Sequence, residues 1–313
     1  MGHIGRSGVI VPGLIAASAT TIAPPTRLLP GLNSRFMAAY NSNRDHLLYN
    51  NRADESWDFP ASVIKMVTVL LIEELKAGVI DSETITWLTQ DEEDEGPFNS
   101  SDLPFQSGDV VTWRNALKAI ILDSAGDGTR MVGRIIGNEA LGQPIESTLG
   151  LPHFVTLMNQ RCRSIPGYGR SVFTETQGTA KYGPLTDNNP NMTARDLALI
   201  GAEVFRNPIA RAIGSIASDS VVIAGPNART ISTSNPHAGV GISGFAGGKN
   251  GGFNFNGNPP EGPTTRSQIM LWLAPNGDQI SIATMDCASS AERSADVTAI
   301  LNALPSDFPY LAA

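Results

Sequence analysis

The sequence predicts an α+β domain in which one antiparallel sheet, built from both ends of the chain, is covered by helices. Segments with strand character lie near both termini, and helical periodicity dominates the middle of the chain. Short turn sequences separate the strands in pairs, which is typical of antiparallel hairpins. The most economical arrangement is therefore a sheet formed by the two ends, with a helical subdomain inserted between them.

The composition fits a globular chain with a sizeable core, because 41% of the 313 residues are hydrophobic and 17% are charged. The net charge of −8, without a basic stripe, argues against a nucleic-acid partner. Two cysteines, Cys162 and Cys287, are too few for a disulfide scaffold, and the sequence leaves open whether they pair. The four histidines lack the spacing of metal ligands. We therefore predict neither a metal nor a cofactor.

Residues 1–30 are interpreted as a possible signal peptide with a proline-rich lead-in, ahead of one folded domain over residues 31–313. An apolar stretch, 9–23, contains small residues that suit cleavage after Ala19 or Ala23. The positive charge before it is weak, and a proline interrupts it. The stretch is too short for a membrane span, and no other transmembrane segment is predicted. We expect an exported protein, periplasmic or secreted.

Strands and helices are placed by periodicity and by turn residues. Two N-terminal strands, 35–40 and 46–49, flank an Asn-rich turn. Two C-terminal strands, 268–273 and 279–285, flank a Pro-Asn-Gly-Asp turn and precede a final helix. The remaining predicted elements are a short strand at 85–88 and helices over 62–78, 111–122, 129–136, 154–163 and 291–304. Thr112 is the predicted N-cap of the helix over 111–122. One further helix is predicted to begin at Thr193, which is its N-cap.

Three stretches are predicted to be irregular. Residues 167–191 and 254–265 are rich in loop-forming residues. Residues 91–95 form an acidic run, which is typical of a solvated loop. A cation site in that run is the less favoured alternative.

The segment Pro60-Ala61-Ser62-Val63-Ile64-Lys65 opens the most apolar predicted helix. Ser62 and Lys65 lie three residues apart, so a helix places them on one face. Desolvation lowers the pKa of a buried lysine, which can then take the proton of a serine hydroxyl. We therefore interpret Ser62 as a nucleophile and Lys65 as its base. Taken alone, the pattern also fits a helix-start serine beside a lysine that reaches solvent.

We call Ser62/Lys65 the first polar station, meaning a short segment that could supply catalytic side chains. Two further polar stations follow along the chain. Ser124 lies in the small-residue turn Ser124-Ala125-Gly126-Asp127-Gly128, and Lys249 begins the segment Lys249-Asn250-Gly251-Gly252. The alternative interpretations are a turn serine and a solvated lysine at the end of a Gly-rich strand. No G-x-S-x-G elbow is present, which argues against a Ser-His-Asp hydrolase.

In this order, the three stations resemble the penicillin-recognising serine hydrolase superfamily of DD-peptidases, penicillin-binding proteins and class A β-lactamases. The similarity extends over most of residues 35–304. It is strongest to the low-molecular-weight D-alanyl-D-alanine carboxypeptidases, the peptidase S11 type, and is also carried by segments 61–66, 154–159 and 193–200. The resemblance implies a DD-peptidase/β-lactamase-like fold and one serine hydrolase catalytic domain over residues 31–313.

The resemblance also implies a role for each catalytic residue. Ser62 is expected to be acylated, with Lys65 as its base. Ser124 is expected to relay a proton to the leaving group. Lys249, on an edge strand, is expected to supply positive charge and to tune the Ser124 hydroxyl.

The substrate is expected to contact Asn250, Gly251, Gly252 and Gly126, with the N–H groups of Ser62 and Gly252 as the oxyanion hole. Two of these positions depart from the family pattern. Gly126 replaces an asparagine that contacts the substrate backbone and the catalytic lysine, and the neighbouring aspartate cannot donate in its place when ionised. Asn250 replaces a threonine that holds the substrate carboxylate, although it can still donate.

The favoured function is a D-alanyl-D-alanine carboxypeptidase-like acyl hydrolase, with a peptidoglycan-type peptide or a β-lactam as the small substrate. No counterpart of the deacylating glutamate of class A β-lactamases is apparent, so slow β-lactam acylation is expected in place of efficient hydrolysis. One alternative is a β-lactamase-like, amidase or esterase activity with the same chemistry. The other is a catalytically silent binding protein. Loss of the motif asparagine favours it, whereas retention of both serines and both lysines argues against it.

Overall fold

The computed structural model describes residues 32–88, 102–178, 190–237, 239–253 and 265–307. The predicted signal peptide, the acidic run at 91–95 and almost all of the loop predicted at 254–265 lie outside these residues. Within the described ranges, no helix combines the length and the apolar character that a membrane crossing requires.

The central element is a five-stranded antiparallel sheet that both ends of the chain build together. Strands β1 (Phe36–Asn41) and β2 (His46–Asn51) come from the N-terminal end. Strands β9 (Phe245–Phe253), β10 (Thr265–Leu273) and β11 (Gln279–Cys287) come from the C-terminal end. The order β2-β1-β11-β10-β9 places β9 at an edge and confirms the predicted architecture and both predicted hairpins.

Helices and short strands surround this sheet. The helices of the described residues are α1 Lys65–Leu75, α2 Trp113–Leu122, α3 Gly126–Leu141, α4 Gly150–Arg163, α5 Ala194–Val204, α6 Pro208–Ser215 and α7 Ser290–Asp307. The shorter strands pair as β3 (Ser56–Trp57) with β6 (Met192–Thr193), β4 (Thr84–Thr86) with β5 (Val110–Thr112), and β7 (Ser218–Ile223) with β8 (Arg229–Ser234).

Alternate residues of the strands enter two separate apolar clusters, because successive side chains of a strand point to opposite faces of the sheet. Ala38 and Ala283 belong to the larger cluster, which also contains side chains of α1 to α6. Met37 and Ile282 belong to the smaller one, which the apolar side chains of α7 close. Both faces of the sheet are therefore buried.

The structure shifts the ends of several predicted helices. The N-cap at Thr112 is confirmed, because its side chain accepts a hydrogen bond from the N–H of Asn115. The residues before it pair as β5, so α2 begins only at Trp113. Helix α3 begins at Gly126, inside the predicted break, and α1 ends at Leu75.

Helix α6 and the β7–β8 hairpin have no counterpart among the predicted elements. An α6 start signal was present, since Asn207 caps the N–H of Ile209 ahead of Pro208, but an eight-residue helix gives little periodicity. Strand β7 carries serine and aspartate, which are unfavourable in strands. It is held through tertiary contacts, including the ion pair of Lys118 with Asp219 at 2.8 Å.

The cysteines, whose state the sequence leaves open, are both free and buried. Cys162 lies in α4 and Cys287 in β11. Burial raises the pKa of each thiol to about 12. Both thiols therefore remain protonated at neutral pH, as expected for structural cysteines.

Helices α3 and α4 cross through direct backbone contact. A Cβ atom added at Gly137 would lie 1.8 Å from the carbonyl oxygen of Gly150, and one added at Gly150 would lie 2.3 Å from that of Arg134. Only glycine permits this approach. The crossing fixes α3, whose first turn follows Ser124.

Replacing Gly137 with alanine is expected to lower the free energy of unfolding by about 1–3 kcal/mol, because overpacking at a rigid contact displaces backbone. Urea denaturation measures the change. Gly78→Ala is the matched control, since a Cβ there would meet nothing within 4 Å. Equal stability of the two variants would show that the crossing tolerates a side chain.

Candidate active site

Ser62 lies in a short 3₁₀ turn, Ala61–Ile64, that runs directly into α1. The preceding residue, Ala61, has a φ of 59°, a left-handed conformation that is uncommon for alanine. Lys65 is the first residue of α1 and is fully buried. Residues three apart eclipse each other in a 3₁₀ turn, so Ser62 and Lys65 share a face as predicted, although Ser62 precedes the α-helix.

The amine of Lys65 is surrounded by serine oxygens. Its Nζ atom donates to Oγ of Ser62 at 3.1 Å, to Oγ of Ser124 at 3.3 Å and to the carbonyl oxygen of Ser124 at 2.5 Å. Burial lowers the pKa of Lys65 to about 8, against the opposing charges of nearby carboxylates. At neutral pH the amine is thus close to its titration midpoint, where it can both take and return a proton.

Ser124 occupies the strained connection between α2 and α3. Its φ is 63°, and the N–H of Ala125 donates back to the carbonyl oxygen of Ala119, which closes the turn. This conformation directs both the hydroxyl and the carbonyl oxygen of Ser124 towards Lys65. The predicted tight bend is therefore present, and the first two polar stations meet at one amine.

Edge strand β9 brings the third station to the same place. Lys249 is buried, and its Nζ atom donates to the carbonyl oxygen of Asn250. Burial, together with the positive charges of Lys65 and Arg293, holds the pKa of Lys249 well below its usual range. Gly251 lies directly against the Ser62 turn, since a Cβ there would be 3.0 Å from the backbone nitrogen of Ser62.

These residues line an open cleft of about 410 Å³. Its walls include most of the predicted site: Ser62, Ser124, Lys249, Asn250, Gly251 and Gly252. Lys65 lies beneath this surface and reaches the cleft through the two serine hydroxyls. The structure thus brings together the predicted catalytic residues from three distant parts of the chain.

Gly126 does not line the cleft, and its predicted contact with substrate stays a prediction. It is the first residue of α3, and its carbonyl oxygen accepts from the hydroxyl of Thr129. The side chain of Asp127 does not take over the missing amide, because its carboxyl group accepts from the N–H groups of Leu103 and Gly128. Burial and the charge of Asp102 raise the pKa of Asp127 to about 7.

Asn250 uses part of its donor capacity within the protein. Its Nδ2 atom donates to the carbonyl oxygen of Pro236 at 2.9 Å. Its Oδ1 atom is buried and has no hydrogen-bond partner among the described residues. The side chain is therefore anchored on the wall of the cleft, with one amide N–H left for a ligand.

Two arginines at the cleft are absent from the predicted site. Arg266 lies opposite Gly252 in the β9–β10 register, and a Cβ on Gly252 would lie 3.1 Å from its Cδ atom. Arg293 reaches the site from α7, where its Nη1 atom donates to the carbonyl oxygens of Gly251 and Ser267 at 3.2 and 3.3 Å. Arg266 could have been placed at the site only from the pairing of β10 with β9 on either side of residues 254–264. No local sequence pattern indicates that Arg293 belongs to the site.

A family model described as D-alanyl-D-alanine carboxypeptidase, peptidase S11, matches residues 27–258. No curated protein matches the chain. Among solved structures, the Streptomyces K15 DD-transpeptidase is 20% identical with a TM-score of 0.74, over 88% of this chain and 98% of that one. A serine-to-alanine mutant of the same transpeptidase gives the same values.

A second similar structure is described as a peptidoglycan synthesis regulatory factor, PBP3, from Streptococcus pneumoniae. It is 16% identical with a TM-score of 0.68, over 88% of this chain and 74% of that one. Identities this low support the fold alone, whereas the family model covers most of the chain. This protein therefore belongs to the peptidase S11 family of D-alanyl-D-alanine carboxypeptidases, within the penicillin-recognising serine hydrolases.

Proposed function

We propose that this serine hydrolase cleaves a C-terminal D-alanine from a peptidoglycan-type peptide through an acyl-enzyme on Ser62. The observation that carries the proposal is the buried amine of Lys65, which lies 3.1 Å from the hydroxyl of Ser62 and 3.3 Å from that of Ser124. A nucleophile, its base and a proton relay are the parts that acyl transfer requires.

The proposed acylation moves one proton and exchanges one bond. Neutral Lys65 takes the proton of the Ser62 hydroxyl while Oγ forms a bond to the carbonyl carbon of the substrate. The proton then passes through the Ser124 hydroxyl to the leaving nitrogen, and the carbon–nitrogen bond breaks. Water later attacks the ester, releases the shortened peptide and restores the Ser62 hydroxyl.

Two backbone donors support stabilisation of the oxyanion in this scheme. The N–H of Ser62 lies in the 3₁₀ turn against Gly251. Arg293 donates a hydrogen bond to the carbonyl oxygen of Gly251. In a trans peptide, the N–H of the next residue points in the opposite direction from the carbonyl oxygen. The N–H of Gly252 is therefore directed away from Arg293. Fixed donors of this kind stabilise developing negative charge without reorganisation.

Positive charge supports binding of a peptide that ends in a carboxylate. Arg266 and Arg293 lie at the Gly252 end of the cleft, and an arginine binds a carboxylate with paired hydrogen bonds. The side chain of Asn250 lines the same cleft and keeps one N–H available. We further propose that the enzyme acts outside the cytoplasm, which the possible signal peptide at residues 1–30 supports.

A fluorescent penicillin is expected to add covalently to the wild-type protein and not to Ser62→Ala, as read by intact mass. Ser82→Ala, at an exposed serine, is the matched control and should retain the adduct. Consumption of penicillin without an adduct would indicate β-lactamase-like turnover. If neither occurs and D-Ala-D-Ala peptides, simple esters and amides also remain intact, the fold is a silent binding protein and the proposal fails.

The second-order rate of acylation is expected to rise with pH until about pH 8, because only neutral Lys65 can take the Ser62 proton. Below that value the rate should fall by about tenfold for each pH unit. Stopped-flow measurement with the same penicillin gives the profile, and Lys65→Met should abolish it. A rate independent of pH between 6 and 9 would exclude Lys65 as the base.

Replacing Arg266 with alanine is expected to reduce kcat/KM for a D-Ala-D-Ala peptide by about tenfold or more, since a charge-assisted contact to the carboxylate is lost. Arg266→Lys should retain part of the activity. A peptide with an amidated C-terminus provides the control, because its cleavage should not depend on Arg266. An equal reduction in kcat/KM for both peptides would show that Arg266 affects the structure of the cleft and does not bind the carboxylate.

A further inference from the structure

The turn at residues 175–178 lies directly against the nucleophile. A Cβ atom at Gly178 would be 1.9 Å from the carbonyl oxygen of Ala61, so the two backbones are in contact. Both residues have left-handed backbones, with φ of 84° at Gly178 and 59° at Ala61. Such a conformation costs free energy at alanine and persists only where surrounding structure holds it. The turn therefore helps to set the residue immediately before Ser62.

Glu175 builds this turn with its own carboxylate. Oε2 accepts from the N–H of Gln177 at 2.5 Å, and Oε1 accepts from the N–H of Gly178 at 2.6 Å. Gln177 and Gly178 are buried, and Glu175 is partly buried. Charge-assisted hydrogen bonds of this kind are about twice as strong as neutral ones. The carboxylate is thus fixed one short turn away from Ala61.

The same carboxylate acts on the catalytic amine. Burial lowers the pKa of Lys65 to about 8, and Glu175 opposes this fall more than any other charged group. The other charged groups that bear on Lys65 come from the segment before β5, from α3 and from β9: Asp102, Asp127, Arg130 and Lys249. The charge of Glu175 therefore offsets part of the cost of a buried ammonium group.

We propose that Glu175 is a positioning residue for acylation, acting on Ser62 through Gly178 and Ala61 and on Lys65 through its negative charge. The inference rests on the proposed function. Lys65 becomes an ammonium ion when it takes the Ser62 proton, and a fixed carboxylate nearby stabilises that developing charge. Among the described residues, Glu175 does not line the cleft, so the proposed action reaches Ser62 and Lys65 without a direct contact with the substrate.

The titration of Lys65 in the free protein tests this role directly. The chain has only five lysines, so ¹³Cε-lysine NMR can follow each one, and Lys65→Arg identifies the relevant resonance. Glu175→Gln is expected to lower the pKa of Lys65 by about one unit, because the stabilising charge is removed. Glu175→Asp keeps the charge and should produce less than half of that shift. Glu146→Gln, at an exposed acid, is the matched control and should produce none.

The pH profile of penicillin acylation gives a second measurement on the same variants. In Glu175→Gln the rising limb should move to lower pH by the amount that NMR reports. A residue that only shapes the turn would change the plateau and leave the limb in place. Glu175→Ser is a second neutral variant for the case that Glu175→Gln does not fold, since serine is a short acceptor suited to turns.

The outcomes separate this inference from the proposed function. The proposed role requires the action on Lys65 as well as the action on Ser62, so an unchanged Lys65 pKa in the folded neutral variants overturns it, whether or not penicillin reacts. A shifted Lys65 pKa in a protein that acylates no substrate supports the link between Glu175 and Lys65 and contradicts the proposed function alone.

Discussion

The burial of one amine is the constraint on which the rest of the site depends. Lys65 opens a helix that is buried along most of its length, and its Nζ atom has three serine oxygens within hydrogen-bond distance. In water at neutral pH, this amine would be almost entirely protonated. In the interior it is held near its titration midpoint, because desolvation and the surrounding carboxylates oppose each other. The proposed proton transfer to and from Ser62 requires that balance.

The backbone around this amine is strained at two places, Ala61 and Ser124. Each left-handed residue costs about 1–3 kcal/mol and persists because a neighbour holds it. Gly178 packs against Ala61, and the N–H of Ala125 returns to α2 beside Ser124. The strain lies next to the two hydroxyls that contact Lys65. Their geometry is thus fixed before any substrate arrives, which is the condition for preorganised catalysis.

The sequence predicts the sheet and the Ser62/Lys65 pair, because strand alternation, turn residues and the S-x-x-K spacing are local signals. The roles of Ser124 and Lys249 were predicted only through the family resemblance. The β7–β8 hairpin was missed, since its polar strands are held by tertiary contacts. Arg266 and Arg293 were missed for a related reason. Arg266 reaches the cleft through strand register and Arg293 through a helix on the far face of the sheet, and neither leaves a periodic pattern. Glu175, which we propose as a positioning residue, lies in a loop turn and leaves no such pattern either.

The pairing of β1 with β11 has a consequence for when the site can exist. Strand β1 pairs with β2 on one side, but its neighbour on the other side is β11, among the last strands of the chain, and β9 pairs with β10 in turn. Contacts between residues so far apart in sequence slow folding, because a long loop must close before they can form. Ser62 and Lys65 are synthesised early, but Lys249 and Arg293 reach them only when the C-terminal hairpin and helix close the sheet. An incomplete chain on the ribosome therefore carries Ser62 and Lys65 before the other residues of the candidate site are in place.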